Sequence, residues 1–301
     1  MNYLVAAIGL GSPNIFDQME RLRMNRTNND GSAVTENDIL RIMKSSNFNP
    51  KQLNKNGTTI LLIACTFELN NVALEMIHNY DPMADAKNSY NCTALMHACC
   101  SSNSDMELVA LEIIKTNKSN PSAVCRTNRL TALHLACKNN MKSAALAIIE
   151  TNDSNPGQVN NEKETALLVA CQNRMESVAL AIIETNDSNP GQVSDIKQTA
   201  LLVACYNRME SVALAIIETY DSNPGQVCCY AGNTALLVAC RNNMESVAIA
   251  LLDTCLANPA HKDHLALVYA SKMKMTKVYT ALLKIKNYGY ESYFIEEKDD
   301  A

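Results

Sequence analysis

Residues 199–205 read Thr-Ala-Leu-Leu-Val-Ala-Cys, and this heptapeptide returns along the chain. The copies that begin at residues 165 and 234 are identical to it, and the others are variants. The seven copies begin at Thr59, Thr93, Thr131, Thr165, Thr199, Thr234 and Leu265. Successive starts are therefore 34, 38, 34, 34, 35 and 31 residues apart. A motif that recurs at nearly constant spacing predicts a chain built of stacked structural repeats.

Each repeat has the pattern of two short helices and a loop. Thr199 stands where a helix N-cap belongs, and the six residues after it make about two helical turns. A second helix is predicted over residues 209–219, with apolar side chains at helical spacing, and Ser222–Gly225 (Ser-Asn-Pro-Gly) ends it. The asparagines that follow each heptapeptide by two residues are expected to adopt a left-handed turn: Asn173, Asn207 and Asn242.

This pattern resembles the ankyrin repeat. Residues 131–137, Thr-Ala-Leu-His-Leu-Ala-Cys, resemble the ankyrin signature Thr-Pro-Leu-His-x-Ala-Ala, and residues 212–217 resemble the second-helix pattern Val-Val-x-x-Leu-Leu. Ala in place of Pro, Cys in place of the second Ala and the loss of the inter-helix Gly are departures from it. The resemblance implies an all-α ankyrin-repeat solenoid, made of helix-turn-helix units with projecting loops and a period of about 34 residues. The chain is also similar to the ankyrin arrays of large DNA viruses of amoebae.

Three segments are expected along the chain. Residues 1–58 are predicted to form a divergent helical N-terminal cap, residues 59–284 the ankyrin array with its polar terminal repeat, and residues 285–301 an acidic tail. Within the cap, Ser12 and Pro13 are predicted to start a helix that ends near Met24. Thr35 is predicted to begin a capping box for a second helix that ends near Ser45.

Composition narrows the classes of function. The 301 residues carry 26 basic and 31 acidic side chains, a net charge of -5, which argues against nucleic acid as a partner. No apolar run approaches the length of a membrane helix, so no membrane contact is expected. Six of the 12 cysteines close the heptapeptides, where stacked copies would lie about 10 Å apart, too far for disulfides. A reducing intracellular compartment, the cytoplasm or nucleus of the organism itself or of a host cell, is therefore expected. The protein is expected to be a monomer.

The sequence favours a protein without catalytic activity, cofactor or metal. No phosphate-binding, dinucleotide-binding or hydrolase motif occurs. His134 occupies the ankyrin histidine position, which the family uses for hydrogen bonds within the turn, and His97 is expected to face elsewhere. His261 and His264 have a metal-like spacing but lie in the last loop, without a helical metal motif. The methionine at one position per repeat is interpreted as core filler: Met141, Met175, Met209 and Met244.

A comparison between neighbouring repeats indicates where a partner would bind. Residues 165–198 and 199–232 differ at only seven of 34 positions: Gln172 against Tyr206, Asn186 against Tyr220, and the five loop residues 194–198 against 228–232. Loop tips and the exposed ends of first helices line the concave face of an ankyrin array. Drift of exposed loops after duplication explains such variation equally well, but three of the changes introduce tyrosine, a frequent binding anchor.

A protein partner on the concave face is therefore predicted. The candidate partner-binding residues are Tyr90, Arg126, Arg129, Lys138, Lys163, Glu164, Gln172, Ile196, Lys197, Tyr206, Tyr220, Tyr230 and Arg241. The alternative hypothesis is a substrate adaptor that recruits a host machine, such as a ubiquitin ligase, through one end of the array. An enzyme using cysteine and histidine is disfavoured, because the cysteines repeat as packing elements.

Overall fold

The protein is all-α, as the heptapeptide pattern predicts. The computed structural model describes residues 14–25, 31–229 and 232–288, and within these ranges the chain forms sixteen helices. Extended pairing in the same ranges is limited to isolated bridges, among them Leu53 with Thr59 and Lys87 with Thr93. The N-terminal start at residues 1–13, Tyr230 and the tail beyond residue 288 lie outside the described residues.

Two compact units divide the chain. The first comprises residues 1–127 and 150–154. Its helices are α1 (Ile15–Arg23), α2 (Glu36–Met43), α3 (Ile60–Thr66), α4 (Asn70–Asn79), α5 (Ala94–Cys100) and α6 (Asp105–Lys115). The pairs α3/α4 and α5/α6 are hairpins, and they stack through α3 on α5 and α4 on α6. The two helices α1 and α2 pack together and contact α3 and α4, respectively.

The second unit comprises residues 128–149 and 155–301 and holds the most regular repeats. Its helices are α7 (Ala132–Lys138), α8 (Lys142–Ile149), α9 (Ala166–Gln172), α10 (Glu176–Ile183), α11 (Ala200–Tyr206), α12 (Glu210–Ile217), α13 (Ala235–Arg241), α14 (Glu245–Asp253), α15 (His261–Lys272) and α16 (Thr276–Tyr288). The first helices α7, α9, α11, α13 and α15 form one layer, and the second helices form the other. Each layer buries its apolar face against the other layer and against the neighbouring hairpins.

The heptapeptide threonines cap their helices, which confirms the prediction. The hydroxyl oxygen of each accepts a hydrogen bond from the backbone N–H three residues on, at 3.2–3.4 Å, and each side chain is buried. The six threonines are Thr59, Thr93, Thr131, Thr165, Thr199 and Thr234. The seventh copy differs, because α15 begins at His261, four residues before the Leu265 copy, and Ala260 offers no side-chain cap.

Of the two N-caps predicted near the N-terminus, one is confirmed and one is wrong. Thr35 is the N-cap of α2, and the Asp38 carboxylate accepts hydrogen bonds from both its N–H and its hydroxyl, at 2.9 Å each. The prediction for the first helix was wrong in its start. Asn14, not Ser12, is the N-cap of α1, because its side-chain oxygen accepts a hydrogen bond from the Phe16 N–H at 3.0 Å.

The asparagines that follow the heptapeptides do not adopt the left-handed conformation, which corrects the sequence interpretation. Their φ angles are -92°, -88° and -91°, and the left-handed residue is the next one, Arg174 (57°), Arg208 (58°) or Asn243 (59°). Their amides instead donate to a carbonyl one repeat earlier: Asn173 to Cys137, Asn207 to Cys171 and Asn242 to Cys205, at 3.2, 2.8 and 2.9 Å. These bonds tie neighbouring repeats together.

The Ser-Asn-Pro-Gly loops also connect neighbouring repeats. Asn155, Asn189 and Asn223 are left-handed in them, with φ angles of 48–49°. A Cβ on the following glycine would lie 2.2 Å from the Asp187 carbonyl oxygen at Gly157 and 2.3 Å from that of Asp221 at Gly191. No real side chain fits at such a distance, so the glycine is required by close approach to the next repeat.

The heptapeptide cysteines and the methionine column belong to the core. All six of these cysteines are buried, as are Met141, Met175, Met209 and Met244. Burial raises the pKa of the Cys171 and Cys240 thiols to about 12, because a thiolate would lose its hydration. Because these six thiols are also closed off from solvent, they are packing groups.

Candidate functional site

The loop before each first helix forms a turn that projects from the repeat. A backbone hydrogen bond of 3.0 Å closes it, from Asn160 N–H to Glu164 O and from Ser194 N–H to Gln198 O. In the last loop the same bond joins Cys228 to Asn233 and spans one more residue. The left-handed tip positions are Gly57, Asn91, Arg129, Lys163, Lys197 and Gly232.

This extra residue corrects the comparison between repeats. Counting 34 residues pairs Gln198 with Gly232, but Gly232 has the φ angle of Lys197, 55° against 59°. Asn233 is therefore the structural counterpart of Gln198 and of Glu164. The sequence comparison missed Asn233 because the step from Thr199 to Thr234 is 35 residues.

Three of the candidate residues line one cleft of the second unit. Lys138, Glu164 and Gln172 lie around a cleft of about 630 Å³, at the ends of α7 and α9 and the loop between them. The Glu164 carboxylate accepts hydrogen bonds from the Gln172 amide at 2.9 Å and from the Asn160 amide at 3.1 Å. These bonds fix the orientation of a half-buried carboxylate in a cleft that also contains a lysine.

His134 lines this cleft and is a structural residue. Its side chain is buried, and its Nε2–H donates to the Glu164 carbonyl oxygen at 3.2 Å. Its Nδ1 accepts from the Thr131 hydroxyl at 2.9 Å. Burial lowers the pKa of the imidazole, so the neutral ring with the proton on Nε2 is the stable form. The histidine joins the cap of one repeat to the loop of the next.

A second group of candidate residues surrounds Tyr206. The Tyr206 hydroxyl oxygen accepts a hydrogen bond of 2.8 Å from the Asn233 amide, and the Arg241 guanidinium lies 5.4 Å from the centre of its ring. Asn233 in turn accepts from the Lys262 ammonium at 2.9 Å. Tyr206 is half-buried and held from two sides, because α11, α13 and the loop between them converge there.

The remaining candidates in the second unit stand on the loops. Lys163 is exposed, with its ammonium 3.0 Å from the Asp195 carboxylate, and Arg129 donates to the Val159 carbonyl oxygen at 3.4 Å. Lys197 is exposed and Ile196 half-buried at the next tip. Tyr220 is fully exposed on the loop after α12, away from the first helices.

Two candidates lie in the first unit. Tyr90 is 58% exposed, and its carbonyl oxygen accepts a hydrogen bond of 2.9 Å from the Arg126 N–H. The Arg126 guanidinium donates to the Ser89 carbonyl oxygen at 3.4 Å. The two residues therefore come from neighbouring loops and meet at one place.

Neither a metal site nor a membrane-spanning helix is found in the part of the chain that the structure describes. No cluster of three or more His, Cys, Asp or Glu side chains with metal-binding geometry occurs among those residues. None of the helices in the same ranges combines the length and apolar character needed to span a bilayer. Both His97 and His261 bond to protein atoms: His97 to the Thr66 hydroxyl at 3.3 Å, and His261 to the Gly232 carbonyl oxygen.

Comparison with known proteins gives one family. The family model described as ankyrin repeats (3 copies) matches residues 106–192 and again residues 133–223. A search of curated proteins found no match. One similar solved structure is that of the predatory endopeptidase Bd0816 from Bdellovibrio bacteriovorus in complex with the immunity protein Bd3460. The matching chain is 21% identical to this one, with a TM-score of 0.47, and the match covers 67% of this chain and 99% of that chain. The ankyrin repeat domain of Bcl-3 is 17% identical with a TM-score of 0.48, over 80% and 97%.

The helices and the family match together define the class of protein. It is a helical repeat protein, and its fold is an ankyrin-repeat solenoid. The residues that match the ankyrin repeat model span 106–223. Ankyrin repeats are in general modules that bind other proteins. The similarity to arrays of amoebal viruses stays a prediction.

Proposed function

We propose that this chain is a non-enzymatic scaffold that binds a protein partner through the loops and first helices of its second unit. The observation that carries the proposal is the group around Tyr206, where Asn233 and Arg241 hold an aromatic side chain at the surface. A tyrosine and an arginine held in place lose little conformational entropy on binding, and both residue types are enriched at binding hot spots.

The end of the first helix is the position that varies between otherwise similar repeats. It is Lys138, Gln172, Tyr206 and Arg241 in four successive repeats, whereas the buried residues of the heptapeptide are nearly unchanged. The four side chains offer two cations, an amide and an aromatic ring. A surface of mixed charge, with one polar cleft beside Glu164, suits a folded protein or a peptide better than a polyanion.

Site-directed photo-crosslinking in native cell extract tests this function. A photo-reactive phenylalanine analogue at position 206 should crosslink one defined protein. The same analogue at position 208, an exposed residue of the inter-helix turn in the same repeat, serves as control and should not. A second crosslinked protein that belongs to a ubiquitin ligase would support the adaptor hypothesis.

Substitution by the residue found at the equivalent position of another repeat then measures how much Tyr206 and Arg241 contribute to binding. Tyr206→Gln and Arg241→Gln introduce the residue that the chain itself carries at position 172, so the fold should tolerate them. The double variant should bind the crosslinked partner at least about tenfold more weakly, a typical loss for hot-spot residues, with little change in melting temperature. Arg208→Asn, which copies Asn243, should bind normally. If the unmodified protein, the double variant and Arg208→Asn all bind the partner equally well, the proposed surface is excluded.

A further inference from the structure

Two cysteines of the first unit meet across neighbouring loops. Cys92 immediately precedes the N-cap Thr93, and Cys125 lies 33 residues further along, in the loop before the next repeat. Their Sγ atoms are 2.7 Å apart, and both side chains are thiols. Cys92 is half-buried and Cys125 is buried. Neither residue belongs to the heptapeptide, and the stacking of two neighbouring repeats brings their loops together.

Backbone and side-chain bonds hold the two loops together on both sides of this pair. On one side the Asn91 amide donates to the Val124 carbonyl oxygen at 2.8 Å. On the other side the Arg126 N–H donates to the Tyr90 carbonyl oxygen at 2.9 Å. The Asn88 side chain also accepts from the Cys92 N–H at 3.0 Å, which fixes the turn that presents this thiol. These bonds hold the two sulfur atoms close together, which is the first requirement for a bond between them.

We propose that Cys92 and Cys125 form a site of thiol–disulfide exchange, which reacts with small disulfides of the glutathione class. The accessible Cys92 thiolate attacks one sulfur of the small disulfide, forms a mixed disulfide and releases one thiolate. The Cys125 thiolate then attacks the Cys92 sulfur, closes the bond between the loops and releases the second thiolate. The two protein thiols lose two electrons, the small disulfide gains them, and the two thiol protons end on its products.

The environment makes this exchange slow at neutral pH. Burial, followed by the hydrogen bond to Cys125, raises the pKa of the Cys92 thiol to about 12, so little thiolate is present. The closed bond would join the loops that carry Tyr90 and Arg126, two candidate contact residues. The site would thus connect the redox state of the surroundings to the rigidity of this loop pair in the first unit.

Equilibration of the full chain with oxidised glutathione tests the proposal. Trypsin separates residues 88–115, which contain Cys92, from residues 119–126, which contain Cys125. Mass spectrometry should find these two peptides joined, with the bond mapped to Cys92 by fragmentation. The oxidised protein should melt about 5 °C higher than the reduced one, because the crosslink restricts the unfolded chain, and a reductant should reverse the shift.

Single substitutions identify the atoms involved. Cys92→Ser and Cys125→Ser should each abolish the joined peptides, and Cys100→Ser, which removes an exposed thiol at the end of α5, should leave them unchanged. Melting of the reduced variants shows whether each is folded, and the half-buried Cys92 position is the milder change. Persistence of the joined peptides in Cys92→Ser, or a glutathione adduct on Cys92 that never closes, would overturn the proposal.

Discussion

His134 occupies the position that leucine holds in the three following repeats: Leu168, Leu202 and Leu237. All four side chains are buried, but the histidine adds a hydrogen bond to the next loop and a group that titrates. Burial lowers the pKa of His134 in the folded protein, whereas the unfolded chain has an ordinary value of about 6.5. Below that pH the unfolded state binds a proton that the native state refuses, so stability falls with acidity.

The first prediction follows from this sign. The free energy of unfolding should keep its full value above about pH 6.5 and decrease below that pH. For one histidine the decrease should be at most about 1.4 kcal/mol per pH unit. His134→Leu, which copies the neighbouring repeats, should reduce the decline. Denaturant unfolding at pH 5 and pH 7.5 measures it for both proteins. Burial also lowers the pKa of His97, so a smaller decline should remain. An identical decline in the variant would contradict the assignment.

The second prediction concerns a single apolar side chain. Leu201 is completely buried in α11, and Leu201→Ala should lower the free energy of unfolding by about 2–5 kcal/mol, since it removes apolar contacts and leaves a cavity. Leu256 is 66% exposed, and Leu256→Ala deletes the same atoms at the surface. That control should change stability by no more than about 0.5 kcal/mol. Denaturant unfolding of both variants measures the difference, and equal losses would refute the core assignment.

At the scale of the element, the loop after each second helix is a joint between repeats. Gly191 has ordinary backbone geometry, so its role is space rather than conformational freedom. Gly191→Ala should destabilise the protein by about 1–3 kcal/mol, because the added methyl group would meet the Asp221 carbonyl oxygen. Denaturant unfolding, with hydrogen exchange at residues 221–225, should show this loss locally. Lys197→Ala, an exposed change in the same repeat, is the control, and a neutral Gly191→Ala would refute the joint.

The sequence predicted those features of the elements that depend on short-range bonds. Thr199 caps its own helix three residues away, and Pro-Gly ends the helix before it, so the pattern along the chain contains both signals. Asn207 and Gly225 were placed in turns, but the groups that they contact lie more than 30 residues away in the neighbouring repeat. The sequence shows that these residues recur in each repeat, but it does not show that they contact the neighbouring repeat.

The candidate site was also predicted without the contacts between its residues and the neighbouring loops. Gln172 and Tyr206 were selected because they vary, and the structure gives each a polar partner in a loop, Glu164 and Asn233. Asn233 could not be found by a comparison without gaps, since one inserted residue shifts the last loop. A comparison that started from each N-cap threonine would have aligned Asn233 with Glu164.

At the scale of the whole molecule, stability is shared between neighbours. Within the second unit, α15 packs on α13 and α16 packs on α14. The hairpin α15/α16 therefore covers α14, in which Leu251 and Leu252 are buried. In a repeat protein a hairpin protects the apolar faces of the repeat on which it stacks from water. Its contribution should therefore exceed the stability of the hairpin alone.

The fourth prediction tests this covering role. Val278 is fully buried in α16, and Val278→Asp places a charge without a partner in the interface, which should lower the melting temperature by about 5 °C or more. A chain that ends at residue 258 lacks both helices and should melt at a similarly reduced temperature, with stronger binding of a hydrophobic dye. Thr280→Asp places the same charge on the exposed side of α16 and should melt normally. If the shortened chain melts like the full one, the hairpin does not stabilise its neighbours.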